Sequence, residues 1–96
     1  MTGTDGLTRD YRVAFLGHLA RRSETSLSRG YELGRAAVTQ GRGILDLVRA
    51  HHEVLLEVLR QTPADELPDV AAAASEFLIE VLATSDMAQR ALLHPR

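Results

Sequence analysis

Apolar residues first recur along the chain as Leu7, Tyr11, Ala14, Phe15 and Leu19, the i, i+4, i+7 spacing that gathers one face of a helix away from water. This stripe predicts a first helix over about residues 8–21, behind a polar, flexible leader of residues 1–7. Ser23, Glu24, Thr25 and Ser26 follow, side chains that accept bonds from the free N–H groups of a first helical turn. A second helix starts there, with the stripe Leu27, Tyr31, Gly34, Ala37 and Val38. Gly30 and Gly34 each cost roughly 1 kcal/mol against alanine inside a helix, so this pattern predicts another helix packed closely against them. Gly41-Arg42-Gly43 is the clearest breaker and ends the second helix near Gln40.

From Ile44 the apolar positions Leu47, Val48, His51, Val54, Leu55, Val58 and Leu59 sustain a stripe of about four turns. Pro63 and Pro68 bracket the polar turn Ala64-Asp65-Glu66-Leu67, and each proline disfavours helical geometry in the residue before it, so the third helix ends near Gln61. A last helix, from about Asp69 to Leu93, offers the seam Ala71, Ala74, Leu78, Val81, Ser85, Ala88 and Leu92. Val70, Phe77, Ile79, Leu82, Ala83, Met87 and Ala91 lie outside that seam, which makes the apolar surface wider than one intramolecular contact needs. The expected architecture is an all-α, four-helix domain over residues 8–96, paired with its own copy through the last helix. Leu78, Leu82 and Phe77 are the expected dimer contacts.

Composition narrows the function. Ninety-six residues make one domain with a modest core, and 45% hydrophobic with 25% charged residues suits a folded chain rather than a disordered one. The net charge is −2, and the 11 basic residues are all arginines scattered without a run, which argues against nucleic acid as a partner. Cysteine is absent, removing disulfides and thiolate chemistry. No signal-peptide pattern and no membrane-length apolar stretch occurs, so the expected location is cytoplasmic.

Catalytic signatures are missing. His51 and His52 are adjacent on a helix and point about 100° apart, a poor arrangement for one metal ion. His51 is therefore read as a core or interface side chain and His52 as its solvated neighbour. Glu76 and Glu80 stand one turn apart without a nucleophile, and the hydroxyls from Ser23 to Ser28 read as caps rather than as a nucleophile elbow. No glycine arrangement cradles a phosphate, so no cofactor is implied. The four aromatics, Tyr11, Phe15, Tyr31 and Phe77, all fall on helical stripes and read as core.

Glu24-Thr25-Ser26-Leu27, then His51 with Val54-Leu55 and Glu57, then Phe77-Leu78-Ile79-Glu80-Val81 with Met87-Ala88, resemble in order and spacing the amino-terminal domain of the RsbU-type phosphatases. The resemblance implies a homodimeric four-helix domain that receives an RsbT-type serine kinase. Binding would activate a PPM-type phosphatase acting on a phosphorylated anti-anti-sigma factor, within a bacterial stress response that works by partner switching. It places the docking surface on Glu24, Thr25, Ser28, Ile79 and Ala83, with Ile79 the strongest anchor. The chain departs from the family's pattern at Ser28, where a large aromatic is expected, and at Ala83, where a larger aliphatic is expected. PPM catalysis needs metal-binding aspartates on a β-sandwich, and these residues hold neither; no enzyme activity, metal or small-molecule substrate is expected. Two other readings compete. One is a stand-alone helical scaffold resembling the carboxy-terminal domain of KaiA. The other is a metal sensor or small enzyme using His18, His51, His52 and His94, which no ligand spacing supports.

Overall fold

The computed structural model describes residues 4–93, folded as four α-helices: α1 (Thr4–Ala20), α2 (Glu24–Thr39), α3 (Ile44–Arg60) and α4 (Leu67–Leu93). α1 opens about one turn earlier than the stripe predicts, and Leu7, expected in the leader, is buried in the core. Residues 1–3 of the expected leader lie outside the described residues. Ser23 caps α2 with a reciprocal pair of bonds: its side chain accepts from the N–H of Ser26, and Ser26 Oγ accepts from the N–H of Ser23 at 3.1 Å. α2 ends at Gly41, the one described residue type able to hold φ +76° without strain, where Gly41 N–H bonds to Val38 O and Arg42 N–H to Ala37 O. Between α3 and α4 the expected polar turn forms a single 3-10 turn, Ala64–Glu66. α4 begins at Leu67 rather than Asp69, because Pro68 in a first turn forfeits only an N–H with no helical acceptor.

The core gathers Tyr11 and Phe15 of α1, Ala37 of α2, Leu47, Ala50 and Val54 of α3, and Ala74, Phe77 and Val81 of α4. Phe77 sits at its centre, with ring centroids 5.3 Å from Tyr11 and 5.6 Å from Phe15. α2 and α4 make the closest approach. A Cβ on Gly30 would lie 2.9 Å from the Phe77 ring, and one on Gly34 would run into the backbone oxygen of Val81. The two glycines therefore let α4 lie directly against the α2 backbone, which accounts for their unfavourable helix propensity. Gly30 pairs with Phe77 and Gly34 with Val81, so both helices advance in the same direction.

Burial corrects the expected seam of α4. The inward positions are Ala73, Ala74, Phe77 and Val81, while Ala71, Ala88 and Leu92 are exposed and Leu78 is half-buried. The bulk of Phe77 sets the rotation of the helix, since only the gap between the α1 aromatics and Gly30 accommodates its ring. This also removes Phe77 from the expected dimer contact: it is 0% exposed within one protomer. Beyond Ser85, every described residue of α4 is exposed, leaving Asp86–Leu93 as an overhang of about 12 Å at 1.5 Å per residue.

Candidate protein-binding surface

The start of α2 is held from beneath by a polar network. Ser26 gives its hydroxyl proton to the carbonyl of Ser23 at 2.9 Å and so accepts from Nδ1 of His18 at 2.6 Å. On the other side of that ring, Nε2 stands 3.3 Å from Oε1 of Glu76. Arg22 then grips Glu76 through Nε at 3.2 Å and Nη2 at 2.6 Å. The guanidinium, helped by His18, holds the Glu76 carboxyl below its ordinary range. His18 is only 1% exposed, yet both ring nitrogens meet oxygen partners, as burial of a polar ring demands. One imidazole thus joins α1, the cap of α2 and the first half of α4.

Above this network, Glu24, Thr25 and Ser28 are exposed on the first two turns of α2. Ile79 is 68% exposed on α4, and Ala83, one turn further, is half-buried. The structure brings the two carrier helices together without bringing all five side chains into one spot. With Gly30 level with Phe77 and Gly34 level with Val81, Ile79 stands level with the middle of α2, about 10 Å of helical rise beyond Thr25. The surface is an elongated ridge pair rather than a pocket. Leu78 and Leu82 are half-buried, and Leu82 also packs on the core.

Val13, Leu16, Leu45 and Leu93 are exposed large apolar side chains that were not singled out from sequence; Ile44 and Val48 of the α3 stripe, Met87 and the seam residue Leu92 are exposed as well. A groove of about 430 Å³ runs between α1 and the start of α2, lined by Val13, Ala14 and Gly17 and by the arginines Arg21 and Arg29. Val13 falls outside the stripe of α1, which is the signal that could have marked it.

The histidines do not converge on a metal. His51 Nδ1 and the Tyr11 hydroxyl are hydrogen-bonded at 2.7 Å; burial first, then the neighbouring His52, lowers the His51 pKa, and burial raises that of Tyr11. His52 is exposed, and His94 lies outside the described residues. Among the described residues no cluster of three or more potential ligands forms, and no helix is long and apolar enough to cross a membrane.

No curated protein and no solved structure matches this chain. A family profile, phosphoserine phosphatase RsbU, N-terminal domain, matches residues 9–88, a span running from the first turns of α1 through both glycine contacts and into the α4 overhang. That family is a small helical regulatory domain without a catalytic domain of its own, in keeping with the all-helical architecture. The chain belongs to the family of the N-terminal domain of phosphoserine phosphatase RsbU.

Proposed function

We propose that this domain is the docking and dimerisation unit through which an RsbT-type switch kinase activates a PPM-type phosphatase, in a cytoplasmic partner-switching pathway controlling a sigma factor. The observation that carries the reading is Ile79: a large aliphatic side chain, 68% exposed, on the helix that packs closely against α2 at Gly30 and Gly34. Exposed aliphatics in contiguous apolar surfaces mark protein contacts, and Glu24, Thr25 and Ser28 supply polar groups along the neighbouring ridge. Ser28 and Ala83 are smaller than the family's pattern expects, which favours a partner surface that fills the space above them. Dimerisation uses Leu78, Leu82 and the exposed apolar residues of the α4 overhang. Binding on the α2–α4 ridges is then relayed along α4, the helix shared by docking surface and dimer.

Titration calorimetry of a purified RsbT-type kinase into the domain tests the docking reading. Ile79→Asp should weaken binding by about 2 kcal/mol or more, some thirtyfold, if Ile79 is an anchor. Equal affinity for both proteins would remove Ile79 from the interface, and no binding by either would dismiss the kinase as partner.

A further inference from the structure

The groove between α1 and the start of α2 carries a charge pattern that the docking ridges do not. Its floor is apolar and shallow, made by Val13, Ala14 and Gly17, and Arg21 and Arg29 rise on its rim. Five arginines elsewhere pair with carboxylates, Arg12 with Glu57, Arg22 with Glu76, Arg35 with Glu32, Arg42 with Asp46 and Arg90 with Asp86, whereas Arg9, Arg49 and Arg60 do not among the described residues, and none of those three lines this groove. Arg21 and Arg29 have no acidic partner among the described residues, and no carboxylate lines the groove. A chain of net charge −2 thus concentrates two unneutralised guanidiniums beside an exposed valine. Thr25 and Ser23 add hydroxyls at the same end of the groove. Glu24, next to Thr25, does not line the groove.

We infer that this groove binds an acidic segment of a partner protein in which an aliphatic side chain alternates with carboxylates. The aliphatic group would rest on Val13 and Gly17, where a Cβ would meet nothing within 4 Å, and the carboxylates would pair with Arg21 and Arg29. Guanidinium and carboxylate match in planar, two-bonded geometry, which makes arginine the suitable cation for such a segment. The surface is distinct from the Ile79 ridge, sharing only Thr25 with it, so this inference stands or falls separately from kinase docking there.

The test uses fluorescence anisotropy with a labelled hexapeptide of alternating glutamate and leucine, alongside alternating lysine–leucine and glutamate–serine peptides. Binding is expected for the first peptide alone. Arg21→Glu and Arg29→Glu, both at exposed positions, should each weaken it about tenfold or more. Gly17→Leu should abolish it by filling the floor while leaving the thermal midpoint of the domain unchanged or raised. Amide shifts on titration should centre on Gly17, Thr25 and Arg29, and Ile79→Asp should leave the affinity intact. Equal binding of the lysine peptide, affinity unmoved by both charge reversals, or shifts centred elsewhere would overturn the assignment. So would protection of the same groove by self-association alone, which would make a second copy the occupant.

Discussion

The two halves of α4 are similarly apolar and have opposite fates. From Ala73 to Val81 the helix lies against α2 so closely that two glycines are required on the other side. From Asp86 to Leu93 it carries Met87, Leu92 and Leu93 into solvent, with Leu92 77% exposed. An isolated helix would treat both halves alike. What separates them is the partner within reach: α2 ends at Thr39 with its cap at Gln40, level with Asp86 and Met87, and beyond that point no described residue of α4 is buried. The first half therefore sets stability, and the second half is available for association.

Substitutions in the buried half should be the most damaging. Gly34→Ala places a Cβ into the Val81 carbonyl, which cannot move without displacing α4; we expect a loss of about 3 kcal/mol or more despite alanine's better helix propensity. Phe77→Ala should cost about 3–5 kcal/mol by emptying the centre of the core. Both are read from chemical denaturation midpoints. Gly30→Ala meets only the Phe77 ring edge, which can shift, and should cost less than Gly34→Ala.

The polar network under the start of α2 should show smaller effects. His18→Ala removes the bonds to Ser26 and Glu76 and opens space beside Phe77, with an expected loss of about 1–3 kcal/mol in the same assay. Ser23→Ala should cost about 1 kcal/mol by uncapping α2.

Acidity acts on the same comparison through two groups. The Glu76 pKa is lowered in the folded chain, so its stabilising contribution is complete above the ordinary carboxylate value of 4.5 and disappears as pH falls through the folded value. The His51 pKa is also lowered, from 6.5. Its neutral form favours folding, and stability should begin to fall as pH drops through 6.5 towards the folded value. His51→Gln should flatten the upper part of that profile in melts recorded from pH 7.5 to 5, and Glu76→Gln the part below about 4.5.

At the bottom of the scale, Leu92→Asp and Met87→Asp should leave protomer stability within about 0.5 kcal/mol while shifting sedimentation profiles towards monomer. Unchanged sedimentation would detach the overhang from dimerisation.

Much of this was legible in sequence because it is local. The caps at Ser23 and Ser26, the stop at Gly41 and the break at Pro63 are written within a few residues of where they act, and the cost of Gly30 and Gly34 correctly announced a close helix. The rotation of α4 was not legible. Its apolar residues fit two faces about equally, and only the space left by Tyr11, Phe15 and Gly30 selects the one containing Phe77. The bridging role of His18 was not legible for a related reason, since its partners Ser26 and Glu76 are 8 and 58 residues away. The groove with Arg21 and Arg29 depends on how α1 and α2 lie side by side, which no local pattern fixes, and on ion pairs such as Arg12–Glu57 and Arg22–Glu76 that join distant helices. The exposed ridge residues Glu24, Thr25, Ser28 and Ile79 came from family resemblance, and periodicity alone marked only Ile79 as lying off the seam.

Hydrogen–deuterium exchange on the domain with and without a purified RsbT-type kinase tests the central claim most directly. The account predicts added protection in peptides covering Glu24–Ser28 and Ile79–Ala83, with the Leu47–Val54 stretch of α3 unchanged. Protection confined to α3 or absent throughout, at kinase concentrations that saturate binding, would contradict it.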